Sequence, residues 1–175
     1  IDYTISGNTG INAGNYELTI SGQNNFAGTK SVNWSISKAS QLAPEAPAAV
    51  NETIKAKADG KITGVTSDME YKLEGASEYI AISETEIVNL AAGTYLVRYK
   101  ENANHLAGAD KQLVIADGAM ITVSFNSNEG TAVDSKTSEY NQAITVPAEP
   151  TKENFVFAGW YKDAECLDLW NFGNA

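Results

Sequence analysis

The sequence predicts a mainly β protein made of tandem small modules, on three observations: short alternating runs, scarce helical periodicity and an internal repeat. The alternating runs are Tyr16 to Ile20, Val32 to Ile36, Tyr95 to Tyr99 and Ile121 to Phe125. Each places β-branched or aromatic residues at every second position, which is the pattern of a strand with one buried face. Gly, Asn, Asp and Ser separate the runs and supply the turns. Only Ala46 to Ala58 and Asp163 to Trp170 could hold a helical turn or two, and the former opens on Pro44 and Pro47 without a sustained apolar stripe. In Phe155 to Trp160 both parities are apolar, so this run is expected to be a central strand with Trp160 in the core.

The repeat sets the organisation. Ala13-Gly14-Asn15-Tyr16 with the turn Asn24 to Gly28 returns as Ala92-Gly93-Thr94-Tyr95 with Asn102 to Gly108, and closing strands follow at Ser31 to Ile36 and Gln112 to Ile115. Each copy reads as the terminal hairpin of a module, so boundaries are expected near Lys38 and Asp117. Three regions result: 1–38, 39–117 and 118–175. Fewer than about 40 residues do not bury a core without disulfides or metal, so the first is expected to be incomplete, its other half preceding Ile1. Lys38 to Pro47 is a linker by composition and Asp117-Gly118-Ala119 a shorter joint. Joints this short predict a stiff, elongated monomer.

Composition narrows the function classes. The 175 residues carry 12 basic and 22 acidic side chains, a net charge of −10, with a sequence pI near 4.5. Such a surface repels polyanions, so nucleic acid is not an expected partner. No apolar run approaches the roughly 18 residues of a spanning helix, so no membrane insertion is expected of this stretch. Cys166 is the single cysteine, which rules out an intrachain disulfide and a Cys-x-x-Cys metal knuckle. The chain opens on Ile1 without a signal-peptide pattern, and we expect it to be part of something longer.

Candidate chemical groups are few. His105, the lone histidine, occupies in its turn the slot Phe26 has in the first copy, and neither it nor Cys166 has the local partners that an activated nucleophile needs. Gly22 to Ser31 has a superficial phosphate-loop look, but Thr29 intervenes between Gly28 and Lys30 and no helix follows. Glu84 and Glu86 would share a strand face, which reads as a solvated face before an acid and base pair. Asp163, Glu165 and Asp168 could cap a turn or hold calcium weakly, whereas Asn126 to Gly130 lacks the leading Asp and distant Glu of an EF-hand and reads as a hairpin turn. The sequons at Asn33 and Asn51 matter only in a eukaryotic source. Trp34, Trp160, Tyr161 and Trp170 could stack on sugars, and Tyr140 and Tyr161 are the open ligand-binding candidates. We expect no catalytic residues, no metal and no cofactor.

Two stretches resemble known families. Asn12 to Tyr16, Phe26 to Lys30 and Trp34 to Ile36 resemble the end of mostly-β-grasp repeats of bacterial surface proteins. Ile121 to Gly130, Tyr140, Val146 to Lys152, Phe155 to Tyr161 and Trp170 to Phe172 resemble a Listeria-Bacteroides repeat, also called the internalin B-repeat. That second resemblance implies a ubiquitin-like β-grasp. Between them, Asp59 to Val65, Met69 to Tyr71 and the Ala92 hairpin are loosely similar to fibronectin- or immunoglobulin-like modules, implying a β-sandwich. This chain departs from the B-repeat family at Glu129, where Gly is usual, at Asn154, also Gly in the family, and in stopping before a last strand. The resemblances imply a secreted, cell-surface or cell-wall location and a non-enzymatic spacer, stalk or adhesion array that meets host protein or glycan through the full-length protein. The alternative is an accessory glycan-binding region of a secreted carbohydrate-active enzyme.

Overall fold

The computed structural model describes residues 2–173, and all regular structure among them is β. The strands are β1 (Tyr3–Ser6), β2 (Gly14–Gly22), β3 (Thr29–Ile36), β4 (Ala48–Val50), β5 (Gly60–Thr63), β6 (Met69–Leu73), β7 (Ile80–Ala81), β8 (Glu86–Leu90), β9 (Gly93–Tyr99), β10 (Lys111–Ile115), β11 (Ile121–Val123) and β12 (Lys136–Ser138). They form small discrete sheets, ordered β1-β2-β3, β10-β9-β6-β7, β4-β5-β8 and β11-β12. The chain folds into two compact units. Unit 1 holds the chain up to Ala48 with Thr63–Glu86 and Thr94–Leu113; unit 2 holds Ala49–Ile62, Ile87–Gly93 and the chain from Val114 on.

In unit 1, β2 pairs antiparallel with β1 and β3, setting Tyr16 opposite Trp34, Leu18 opposite Val32, and Ile20 opposite both Lys30 and Ile5. Directly opposed residues share a face, so Tyr3, Ile5, Tyr16, Leu18, Ile20, Lys30, Val32 and Trp34 lie on one side and Thr4, Ser6, Glu17, Thr19 and Asn33 on the other. Tyr16 and Trp34 stack with centroids 4.7 Å apart. The 7–13 loop is fastened to them by Trp34 Nε1 donating to the Gly7 carbonyl at 3.0 Å and by the Tyr16 hydroxyl donating to the Asn12 carbonyl at 2.5 Å. In the second sheet β6 pairs antiparallel with β9, with Met69 opposite Tyr99 and Tyr71 opposite Val97. Val65, Met69, Ile82, Tyr95, Val97 and Leu113 are buried in this unit.

The first hairpin is tied to the loop of the second. Asn104 Oδ1 accepts the Ala13 N–H at 2.8 Å and Asn104 Nδ2 donates to Asn12 Oδ1 at 2.9 Å. Its carbonyl takes the Ala39 N–H at 2.8 Å, and Leu106 N–H reaches the Ala39 carbonyl at 2.9 Å. Lys38 pairs with Glu101 at 2.5 Å. The proline-rich stretch expected to be a linker is likewise docked: Pro44 and Pro47 are fully buried, and Gln41 Nε2 donates to the Leu106 carbonyl at 2.8 Å.

In unit 2, Ile62, Leu90, Ile115 and Trp160 are buried. Gly60 is required by close approach, since a Cβ there would lie 2.6 Å from Ile115 Cγ2 and 2.8 Å from the Leu90 carbonyl oxygen. β11 and β12 pair antiparallel, with Ile121 opposite Ser138.

Several expectations are corrected. The segment 46–58 forms strand β4 followed by turns and the segment 163–170 forms turns and bends, neither of them helix; in the second, side chains compete for the backbone, since Asp163 accepts the Leu167 and Asp168 N–H groups at 2.9 and 2.7 Å. The strand beginning at Ile121 ends at Val123, before Phe125. Phe155 to Trp160 is not a central strand: Asn154 (φ 62) and Gly159 (φ 134) interrupt extension, and Phe155 and Val156 are 69% and 94% exposed. Only its end pairs, through the bridge of Tyr161 with Leu169. Glu84 lies in a bend ahead of β8, so it does not share a strand face with Glu86.

Candidate functional site

Two places in unit 2 gather polar or aromatic side chains, a loop and a groove. The loop is 51–59. Glu52, 5% exposed, turns its carboxylate inward: Oε1 accepts the Ala58 and Ala92 N–H groups at 2.9 and 3.2 Å, and Oε2 accepts the Ala56 N–H at 3.2 Å. Ala56 (φ 65) and Ala58 (φ 54) are left-handed, a conformation costing roughly 1 kcal/mol or more per alanine, so the carboxylate holds a strained loop in place. Asp59 closes it by accepting from Thr53 Oγ1 at 2.5 Å and Thr53 N–H at 2.9 Å, with Lys57 Nζ 3.0 Å away. The Thr53 hydroxyl foremost, then its N–H and Lys57, hold the Asp59 carboxyl down at about 2.

That loop grips the residues that lead into the last segment. Ala119 N–H donates to the Thr53 carbonyl at 3.2 Å, Lys55 N–H to the Ala119 carbonyl at 3.0 Å, and Tyr140 N–H to the Lys55 carbonyl at 3.0 Å. Asn51 Oδ1 accepts the Ala116 N–H at 2.9 Å, and Lys55 pairs with Glu139 at 2.9 Å, which raises the Lys55 pKa. Gly118 sits so close that a Cβ would lie 2.3 Å from the Ile54 nitrogen. Sequence reasoning missed Glu52 because its partners are backbone amides, which leave no signature in residue type.

The groove, of about 1250 Å³, is bordered by Phe125, Phe157, Trp160 and Trp170, and by both ligand-binding candidates, Tyr140 and Tyr161. Trp160 is 8% exposed and meets Phe125 at 5.0 Å and Phe157 at 5.3 Å, the latter edge-on. A sugar platform needs an exposed ring face, and Trp160 has none. Its indole N–H is buried with no hydrogen-bond partner among the described residues. Trp170 and Phe172 stack at 4.7 Å, each half-buried. Tyr140 is 37% exposed, with Lys57 Nζ 6.0 Å from its ring.

The remaining candidates are occupied by structural work. Asn126 Oδ1 accepts the Asn128 N–H at 2.9 Å and Gly130 N–H donates to the Ser127 carbonyl at 3.0 Å, so this is the turn between β11 and β12. Glu129 (φ 65) is left-handed where the resembled family has Gly, and Lys152 ties the strained turn by donating to the Asn128 carbonyl at 2.9 Å and to Glu129 Oε2 at 3.1 Å. The Leu167 amide, then that of Asp168, lower the pKa of Asp163. Among the described residues no cluster of His, Cys, Asp and Glu could hold a metal ion. His105, in unit 1, faces Asn102 Oδ1 at 3.2 Å, while Cys166 is exposed in unit 2. Also in unit 1, Arg98 pairs with Glu70 at 2.7 Å and lies 3.6 Å over the Tyr79 ring. Tyr79 donates to Asp110 at 2.6 Å; burial, then Asp110, push its phenol up to about 12. Among the described residues no helix is long and apolar enough to cross a membrane.

Comparison with known proteins assigns the segment that contains the groove. Two proteins of Evansella cellulosilytica, named "Putative membrane protein" and "Putative Gly-rich membrane protein", are each 45% identical to this chain over 51 residues, 29% of it. The matched stretch spans only 8% and 6% of those relatives. No solved structure matches the chain. The family model that matches describes a structural, non-catalytic motif typical of bacterial surface proteins. Residues 122–175 match the family model of the Listeria-Bacteroides repeat domain.

Proposed function

We propose that this chain is a non-enzymatic part of a bacterial cell-surface or secreted protein, an array of β modules over 1–38, 39–117 and 118–175 that serves as a spacer, stalk or adhesion array. The observation that carries the reading is the Listeria-Bacteroides repeat at 122–175. Its β-grasp fold and the sandwich-like character of 39–117 belong to the same proposal. Alternating burial in β9 and β10, with Tyr95, Val97, Leu113 and Ile115 inward, supports the latter. The bonds that seat Ala13 on Asn104 and Ala119 on the 51–59 loop support a stiff array. Host protein or glycan is the partner class of the whole protein, and a wall or extracellular location goes with it.

Small-angle scattering tests the array. A compact 175-residue domain has a radius of gyration of roughly 16 Å, and the array predicts a larger one at infinite dilution. A value of about 16 Å would overturn the module boundaries at Lys38 and Asp117. A second reading, glycan binding by an accessory region, is favoured only by the groove that Tyr140 and Tyr161 border, and a glycan array on the intact protein decides it.

A further inference from the structure

β3 is an edge of the β1-β2-β3 sheet and, with eight residues, the longest edge strand among the described residues. Two bonds fix which way its main-chain groups point. Gly22 N–H donates to the Gly28 carbonyl at 3.0 Å and Gln23 N–H to the Asp2 carbonyl at 2.8 Å, so even-numbered residues of β2 bond toward β3 and odd-numbered ones toward β1. Antiparallel ladders alternate, and in this register Lys30, Val32, Trp34 and Ile36 turn their amides and carbonyls to β2. Thr29, Ser31, Asn33 and Ser35 turn theirs away from the sheet, and all four residues are exposed. No strand lies beyond them, and among the described residues no loop bonds to their main chain.

An open strand edge is ordinarily blunted by shortness, proline, a bulge or a central charge. β3 uses none of these: it has no proline, matches β2 one to one from Gly14 opposite Ile36 to Ser21 opposite Thr29, and carries its only charge, Lys30, next to one end. We infer that β3 pairs edge to edge with β3 of a second copy of this chain, antiparallel about a two-fold axis at Val32. The strand is self-complementary at that register. Ser31 meets Asn33 of the other copy and Thr29 meets its Ser35, so every outward residue exchanges both main-chain bonds, whereas any other two-fold register leaves at least one of them unpaired. On the face that Val32 shares with Lys30 and Trp34, Val32 meets Val32, and Lys30 lies opposite Trp34 of the other copy. The strand's one cation is thereby set beside an indole ring and apart from its own like charge. A net charge of −10 works against any pairing of copies, which makes the dimer reversible, with the elongated monomer as its dilute form. Pairing of this kind is independent of the spacer reading.

Sedimentation of the 175-residue chain in about 0.5 M salt, which screens the net charge, tests the pairing, and a cross-link tests its register. The sedimentation coefficient should rise with concentration from the monomer value to the dimer value. Asn33→Pro removes an outward N–H and spares every bond to β2, so at equal concentration it should lower the dimer fraction roughly tenfold while keeping the near-ultraviolet circular dichroism of the Tyr16 and Trp34 stack. In a Cys166→Ser background, Val32→Cys should be oxidised by diamide to a disulfide-linked dimer, because the axis brings the two Cα atoms to about 4.5 Å. Ser35→Cys, which lies opposite Thr29 of the other copy, should not be linked. A chain that stays monomeric at millimolar concentration would overturn the inference, as would a dimer that a folded Asn33→Pro variant leaves intact. So would a dimer that Val32→Cys fails to link or that Ser35→Cys links as readily, whether or not the proline variant folds.

Discussion

Replacing Glu52 by alanine should unfasten the 51–59 loop. The carboxylate is the acceptor for three backbone N–H groups, of which Ala58 and Ala92 are half-buried and Ala56 is exposed. Leaving a half-buried donor without an acceptor costs about 1 to 3 kcal/mol, whereas the Ala56 N–H can turn to water. Against this, a loosened loop lets Ala56 and Ala58 leave the left-handed region, recovering about 1 kcal/mol or a little more at each. The net loss for Glu52→Ala is therefore about 2 kcal/mol. Glu52→Gln keeps one oxygen for Ala58 and Ala92 and points its amide at the Ala56 N–H, so it should lose only about 1 kcal/mol. Because a chain of two units need not unfold in one step, the assay is urea-dependent hydrogen exchange read at the Ala58 and Ala92 amides. An alanine variant within about 0.5 kcal/mol of the parent, as for ordinary surface substitutions, would refute the reasoning. So would a glutamine variant as damaged as the alanine one.

Other expectations concern stability, pH and metal. Trp160→Ala should cost roughly 3 to 5 kcal/mol by emptying the site between Phe125 and Phe157; a folded variant of unchanged stability would return this ring to the list of sugar platforms. The Asp59 carboxyl is held at about 2, below its ordinary 3.8, so its contribution is complete above pH 4 and is lost as pH falls through 2. The Thr53 amide resonance should titrate near that lower value, and a midpoint near 4 would contradict the bonding described. Adding a chelator should leave the thermal midpoint unchanged, since Asn126 and Asp163 spend their oxygens on backbone N–H groups, and a large fall would restore calcium at one of those turns.

Period-two runs made β2, β3 and β9 legible, because in each the alternation coincides with a partner strand that uses it. The same rule failed at Phe155 to Trp160. Apolar residues on both parities describe a central strand only if neighbours exist to pair with it, and left-handed Asn154 and Gly159 interrupt the extension that pairing needs. Trp160 is nonetheless core, since ring packing against Phe125 and Phe157 buries it without any ladder. The prolines of 38–47 signalled a linker by their lack of N–H donors, but nothing in that signal told whether the rings face water or are buried. Glu52 and Asn104 were illegible for a related reason: both act on main-chain groups far away in sequence. The left-handed turn residue at Asn154 was the readable case, because asparagine tolerates the conformation that the resembled family assigns to glycine.

In the array proposed above, the joint at Ala119 is fastened to the 51–59 loop by backbone hydrogen bonds instead of being a free linker, and amide exchange there is the decisive measurement. Lys55, Ala119 and Tyr140 donate in sequence to Ala119, Thr53 and Lys55. These three amides should exchange together, with protection comparable to that of Ile115 in β10, and Gly118→Ala, which drives a Cβ into the Ile54 backbone, should abolish their protection while leaving β9 and β10 protected. Exchange of the three amides at the rate of an unstructured chain in the parent protein would contradict it.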